Sequence, residues 1–227
     1  MMKQTAPTDI YNQDLYNLIP NNLSSIIEIG SGSGALAKAI KLRSPNIKYI
    51  GVEIVEEYAE LSKRYCDTVL IDNIEKPTPE LNGFIQNASA IIFSDVLEHL
   101  YNPWETLKSL SEKISHDCAI FASIPNIQHW SIFIGLISGN FNYTDTGLLD
   151  KTHLRFFTKS SILSLFNNNG FDVKSISPRI FNFPDQDKYL IHIKDIAEKL
   201  NIDSTDAVIN SAAFQFTVHA VLNRKSL

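Results

Sequence analysis

A glycine-rich turn with an acidic residue just before it is the first group of residues that could do chemistry. Residues 26–40 read IIEIGSGSGALAKAI, and Glu28 stands two residues ahead of Gly30. Glycines let a ligand approach the main chain because no Cβ is in the way. The free amides of the helix that follows point at the same place. An isolated carboxylate is costly to bury, so a cationic ligand group is one candidate partner for Glu28.

Two classes of ligand fit this turn. The spacing Gly30-x-Gly32-x-x-Ala35 matches the dinucleotide fingerprint, and Glu53 follows at a suitable distance to hold a ribose. A dinucleotide also brings a pyrophosphate, which an acid beside the glycines would repel. S-adenosylmethionine carries an ammonium and a sulfonium and no phosphate. Glu28 therefore favours S-adenosylmethionine, with S-adenosylhomocysteine as the product.

The predicted elements place this turn at the edge of a sheet. Strands are predicted at residues 26–29, 47–53, 68–71, 89–93, 119–124, 171–176 and 214–222. Helical patterns separate most of them, whereas residues 72–75 after the third strand are expected to form a loop that Pro77 and Pro79 keep from becoming helix. The last strand alternates apolar and polar residues at its start, as a half-exposed antiparallel strand does. We expect an α/β fold: a Rossmann-like, doubly wound, mostly parallel seven-stranded sheet with an antiparallel terminal strand and helices on both faces.

Composition limits the possible partners. The 227 residues are enough for one core, and the net charge of −5 offers no general attraction for nucleic acid or an anionic membrane. Cys66 and Cys118 lack the spacing of metal ligands. The first residues lack the apolar run of a signal peptide, and no apolar stretch reaches transmembrane length. We expect a cytoplasmic protein with no membrane span and no nucleic-acid partner.

The order of four segments resembles that of the class I S-adenosylmethionine-dependent methyltransferases. The spacing Glu28-x-Gly30-x-Gly32-x-Gly34 resembles their motif I, and the other segments follow the second, third and fourth strands. The resemblance implies that Glu53 bridges the ribose hydroxyls and that the segment after strand three faces the adenine. It implies the following cofactor-binding residues: Glu28, Gly30, Ser31, Gly32, Gly34, Glu53, Ile54, Asp72, Asn73, Ile74 and Asp95.

A narrower likeness concerns the middle of the chain. The runs DVLEHLYNPWETL, SIPNIQHW and FNYTDTGLLDKTHLRFFT resemble small bacterial methyltransferases associated with saccharide and cell-surface polysaccharide biosynthesis. Asp95-x-x-Glu98-His99 also resembles a pattern by which some methyltransferases hold a divalent metal. Since this pattern occurs widely where no metal binds, we expect no metal here.

The resemblance divides a single methyltransferase domain, residues 1–227, into four parts. These are an N-terminal helical cap (1–23), a cofactor-binding core (24–125), an insertion or lid on the acceptor side (126–158) and a C-terminal helix and strand part (159–227). The insertion includes a helix that is apolar almost all round, which indicates core or a subunit contact and so allows a homodimer.

Methyl transfer to a hydroxyl requires that the acceptor be aligned and its proton removed. Histidine is the usual base near neutral pH, and His99, His129 and His153 fall in loops at the expected carboxyl end of the sheet. Lys151 and Arg155 could bind a small acceptor, anionic or polar, most simply a sugar hydroxyl. They could equally serve only to shape their loop.

Two alternative functions remain open on the sequence. One is a nicotinamide-dependent oxidoreductase, against which Glu28 argues. The other is a non-catalytic protein that binds S-adenosylmethionine, because methyl transfer requires no particular catalytic side chain.

Overall fold

The computed structural model describes residues 9–223, which form one seven-stranded sheet. The strands are β1 (Ser25–Ile29), β2 (Lys48–Glu53), β3 (Thr68–Ile71), β4 (Ala90–Ser94), β5 (Ala119–Pro125), β6 (Phe171–Ile180) and β7 (Ala213–Leu222). Their order is β3-β2-β1-β4-β5-β7-β6. The first five strands pair in parallel, and β7 pairs antiparallel with both β5 and β6. The fold class expected from the sequence is therefore confirmed.

Helices connect and cover the strands. They are α1 (Gln13–Leu18), α2 (Ala35–Arg43), α3 (Glu56–Ser62), α4 (Pro79–Gln86), α5 (Pro103–Ser111), α6 (Trp130–Ile137), α7 (Lys159–Asn167), α8 (Gln186–Lys199) and α9 (Ser204–Ala212). A 3₁₀ turn, Leu97–His99, follows β4. Among residues 9–223 there is no helix with the length and apolar character needed to cross a membrane.

The core lies on both faces of the sheet because the central strands are apolar on both sides. In β1, Ile27 and Ile29 pack with α4, α5 and α7, and Ile26 packs with α1 and α2 on the other face. This alternation follows from the two-residue period of a strand. Glu28 lies on the Ile26 face and is 3% exposed, which places a carboxyl group inside the core.

Two helices depart from the sequence-based expectation. The loop of residues 72–75 is not helical, as predicted, but the helix that follows it, α4, was not predicted; Pro79 stands in its first turn, where the missing N–H costs nothing. Thr78 caps that helix by accepting from Leu81 N. The helix α9 was not predicted. The part of the N-terminal cap that is described, α1, packs against β5, β7 and α2, and residues 1–8 lie outside the described chain.

Candidate active site

A cavity of about 440 Å³ lies at the carboxyl ends of β1, β2 and β4. The strand order reverses between β1 and β4, and crevices at such a switch point bind ligands in open α/β sheets. The volume is within the range of about 300–1,000 Å³ that is typical of small-molecule sites. The cavity is lined by Ile29, Gly30, Gly32, Val52, Glu53, Ile54, Tyr58, Asp72, Asn73, Ile74, Glu75, Ser94, Asp95, Val96, His99, Leu100, Asp150 and Thr152.

The glycine turn forms one wall of the cavity. Gly30, Gly32 and Gly34 have φ angles of 73°, 52° and 79°, a region that side chains with a Cβ rarely adopt. A Cβ on Gly30 would also lie 2.7 Å from Val96 Cγ2. The amide of Gly30 donates to Val52 O at 2.8 Å, which ties the turn to the end of β2. The main chain can therefore approach a ligand closely, as expected.

Glu53 holds the same turn through its side chain. Its carboxylate accepts hydrogen bonds from Gly32 N at 3.0 Å, Ile54 N at 2.8 Å and Val55 N at 3.0 Å. The residue is 5% exposed and lines the cavity. Since a carboxylate has about four acceptor positions and three are used here, one position remains on Oε2 for a hydroxyl group of a ligand.

Glu28 has a partner that the sequence did not identify. Tyr49 Oη donates to Glu28 Oε2 at 2.9 Å, and both side chains are buried on the far side of the strand from the cavity lining. Burial raises the pKa of Glu28 to about 8, against a smaller lowering by the Tyr49 hydrogen bond. The cationic ligand group considered for Glu28 is therefore replaced by Tyr49. Ser31, under Gly51, and Gly34 also lie outside the lining, so that only Gly30 and Gly32 of the turn form this wall.

The side chain of Asp72 fixes the conformation of the loop after β3. Asp72 accepts from Asn73 N at 2.7 Å and from Thr78 Oγ1 at 2.5 Å. These bonds fix the loop between β3 and α4 and present Asn73 and Ile74 to the cavity. Ile74 is 6% exposed and packs into the core, so it offers an apolar surface for a flat ring.

Asp95 occupies a strained position at the end of β4. Its φ is 55°, and its Oδ1 accepts from Ser123 Oγ at 3.0 Å and from Gln215 Nε2 at 2.7 Å. Burial raises the pKa of Asp95 to about 6, while the Ser123 bond and the Arg179 charge oppose the rise. The side chain lines the cavity, as expected for a residue near the methionine part of the cofactor. Neither Ser123 nor Gln215 was found from the sequence, because both act through strands distant along the chain.

Glu98, His99 and His153 come together beside Asp95, and we call them the Glu98 cluster. The two imidazole centroids are 4.8 Å apart, and His153 Nε2 lies 4.0 Å from Glu98 Oε1. The backbone oxygen of Glu98 accepts from Leu154 N and Arg155 N at 2.9 Å each, which attaches the loop that carries His153. Of the cluster only His99 lines the cavity.

His129 lies elsewhere. It caps α6, its Nδ1 is 2.8 Å from Ser131 Oγ, and its ring is surrounded by Trp130, Phe183 and Phe214. Burial lowers the pKa of His129 to about 4. The residue is 1% exposed and does not belong to the cavity lining. The structure thus brings together two of the three candidate bases and separates the third.

The two candidate cations for an acceptor also lie outside the cavity lining. Lys151 forms an exposed ion pair with Asp145. The guanidinium of Arg155 lies over the rings of Tyr101 and Trp104 and donates to Tyr101 O at 2.5 Å. These contacts support the alternative considered from the sequence, that the two residues shape their loop.

Comparison with known proteins accounts for this arrangement. Residues 9–176 match the family described as methyltransferase domain. The chain belongs to this family. It carries a class I S-adenosylmethionine-dependent methyltransferase domain, and S-adenosylmethionine is the cofactor of that domain.

Among curated relatives, the tRNA (guanine-N(7)-)-methyltransferase of Mycoplasma capricolum is 23% identical over 51% of this chain and 61% of that protein. The corresponding protein of Clostridium tetani is 29% identical over 43% and 46%. The chain thus spans about half to three-fifths of the length of these relatives.

Solved structures share the fold. The plantazolicin methyltransferase BpumL in complex with S-adenosylhomocysteine has a TM-score of 0.59 at 18% identity, covering 92% of this chain and 80% of that one. Magnesium protoporphyrin IX methyltransferase from Synechocystis, also with bound S-adenosylhomocysteine, has a TM-score of 0.56 at 12% identity, covering 87% and 74%. At these identities the likeness concerns the fold alone.

Proposed function

We propose that this protein transfers the methyl group of S-adenosylmethionine to a hydroxyl oxygen of a small polar acceptor, such as a sugar. The observation that carries the proposal is the continuity of the cavity. It runs from the glycine turn and Glu53 at one end to His99 and Thr152 at the other. One site can therefore hold a cofactor and an acceptor in contact.

The residues of the first half fit the cofactor. The carboxylate of Glu53 would accept a ribose hydroxyl at its remaining position on Oε2, while its bonds to three backbone amides hold it in place. The adenine would lie against Ile74, and the methionine part would lie between the glycine turn and Asp95. The positive φ angles of the turn support this placement because they expose the main chain of Gly30 and Gly32.

The end of the cavity near His99 and Thr152 would align the acceptor and remove its proton. When bound, S-adenosylmethionine provides a methyl carbon that is activated by its sulfonium leaving group. The chain must then hold the acceptor oxygen in line with that carbon, which is mostly a matter of positioning. The Glu98 cluster is the place where the hydroxyl proton would be lost, because His99 joins it to the cavity.

Charge favours a neutral acceptor. The cavity is lined by five acidic residues, Glu53, Asp72, Glu75, Asp95 and Asp150. Lys151 and Arg155, the candidate cations for an anionic acceptor, lie outside this lining. A phosphate-rich polymer needs many cationic contacts, and the net charge of −5 does not provide them. The tRNA methyltransferases among the relatives make a tRNA acceptor the competing proposal.

The acceptor class can be tested with labelled cofactor. The purified full chain is incubated with methyl-labelled S-adenosylmethionine and either a panel of neutral sugars or unmodified tRNA. We expect label in the small-molecule fraction at an oxygen atom. Label found only in tRNA, at guanine N7, would replace this proposal with the competing one.

Cofactor binding is tested separately with the product. Glu53→Gln removes the charge of the group that would accept the ribose hydroxyl, and hydrogen bonds to charged groups contribute about 1.5–3 kcal/mol. We expect S-adenosylhomocysteine to bind on the order of tenfold to a hundredfold more weakly by calorimetry. Glu57→Gln, on the exposed face of α3, is the matched control. Equal affinity of the two variants would remove Glu53 from the cofactor site.

A further inference from the structure

Glu98 is a buried acid without a hydrogen-bond partner. It is 1% exposed, and neither carboxylate oxygen has a hydrogen-bond partner among residues 9–223. Burial raises the pKa of Glu98 well above its ordinary value, and the charges of Asp95 and Asp150 raise it further. An isolated buried carboxylate is costly, so structures usually provide it with a cation or hydrogen-bond donors. This one faces two imidazoles.

Both imidazoles offer a free nitrogen to the same space. Nδ1 of His99 lies 3.1 Å from Thr152 O, and Nδ1 of His153 lies 3.2 Å from Leu148 O. A carbonyl oxygen only accepts, so in each neutral ring the proton is on Nδ1 and the lone pair is on Nε2. Histidines that bind metals are oriented in this way, with the second nitrogen donating to a backbone carbonyl. The cluster therefore offers one carboxyl group and two imidazoles as ligands.

The geometry gathers these three ligand atoms. One atom from each side chain of the Glu98 cluster lies within 4.8 Å of the other two. Ligand atoms bind zinc at about 2.0–2.2 Å, and small side-chain rotations bring three such atoms to one centre. Two histidines and one carboxylate form a known ligand set for divalent transition metals, and they leave positions open. Because His99 lines the cavity, the open positions face the acceptor end.

We propose that Glu98, His99 and His153 bind one divalent transition-metal ion at the wall of the cavity. The sequence alone led to the expectation of no metal, because the pattern around Glu98 and His99 occurs widely where no metal binds, and spacing did not connect His153 with it. A cation held by these residues would lower the pKa of a hydroxyl that contacts it, so that the proton could be released to water; the two histidines would then be ligands and not the base. That role rests on the proposed function, whereas metal binding does not.

The probe is Zn²⁺, with Co²⁺ as its spectroscopic substitute. The full chain is stripped with a chelator, titrated with Zn²⁺ by calorimetry, and melted with and without the ion. We expect one Zn²⁺ per chain, a higher Tm with the ion, and visible absorption of bound Co²⁺ that indicates nitrogen and oxygen ligands. Glu98→Gln keeps the shape of the side chain and should weaken Zn²⁺ binding by about a hundredfold.

Controls separate this site from surface binding and from misfolding. His116→Gln removes an exposed histidine and should leave the Zn²⁺ affinity unchanged. Glu98→Gln without metal should melt no lower than the wild type, because it removes an unpartnered buried acid, and this verifies its fold. Absence of stoichiometric binding, or equal affinities of wild type and Glu98→Gln, would overturn the metal site. If Zn²⁺ binds as expected and no hydroxyl is methylated, the proposed function fails and the metal site stands.

Discussion

The buried pair of Glu28 and Tyr49 makes a sharp prediction about stability and pH. Burial raises the pKa of Glu28 from 4.5 to about 8 in the folded chain. Between these values the unfolded chain loses the proton and the folded chain keeps it. The free energy of unfolding therefore falls as pH rises through this range, by about 1.4 kcal/mol for each pH unit.

Glu28→Gln removes this dependence. The amide oxygen of glutamine can still accept from Tyr49 Oη, and the side chain is neutral at every pH. At pH 7, keeping Glu28 protonated lowers the free energy of unfolding of the wild type by roughly 3 kcal/mol, and the variant has no such loss. This loss stops growing near pH 8, where Glu28 ionises in the folded chain as well. From pH 5 to pH 8, the free energy of unfolding of the variant should therefore rise by about 3–4 kcal/mol relative to that of the wild type.

Urea unfolding of both proteins at pH 5, 6, 7, 8 and 9 measures the two free energies of unfolding. The comparison uses their change with pH, because a constant offset reflects the substitution itself. Tyr49→Phe is the control: it removes the donor that favours the ionised carboxylate, so its pH dependence should extend to higher pH than that of the wild type. Parallel curves for wild type and Glu28→Gln from pH 5 to pH 8 would refute the reasoning.

Two further expectations concern the acceptor side. Arg155→Ala loses two ring contacts and a hydrogen bond, so the free energy of unfolding should fall by about 1–3 kcal/mol. The affinity for S-adenosylhomocysteine should stay within about twofold in the same variant, and a larger loss would place the arginine at the ligand. For the lid predicted at residues 126–158, we expect the moving part to be residues 139–147, which Gly139 and Gly147 bound with positive φ angles. Hydrogen exchange should slow there on adding the product cofactor, and unchanged exchange would leave a static wall.

Much of the fold could be predicted because its signals are local. A glycine turn after an apolar strand determines the conformation of the residues it contains. The acids Glu53, Asp72 and Asp95 could be located because each stands at or just after the end of a predicted strand. The helix α4 was missed for a local reason as well. Proline was interpreted as a helix breaker, although Pro79 in the first turn is compatible with a helix.

The candidate site was less predictable because its decisive contacts join distant segments. Gln215 reaches Asp95 from 120 residues away, and His153 reaches Glu98 through a loop that only the fold returns to β4. Spacing along the chain gives no information about such pairs. For the same reason His129 was an equal candidate on the sequence, and the structure places it in an aromatic cluster.

Glu28, Asp95 and Glu98 show how the structure separates supporting residues from a site. Glu28 is satisfied by Tyr49, and Asp95 is satisfied by a serine and a glutamine from neighbouring strands. Glu98 is buried, has no hydrogen-bond partner in the described chain, and lies beside two imidazoles. Because the third acid lacks such a partner and stands next to His99, which lines the cavity, it is the one that fits a ligand-binding position. Sequence spacing indicated all three acids, and only their partners distinguish them.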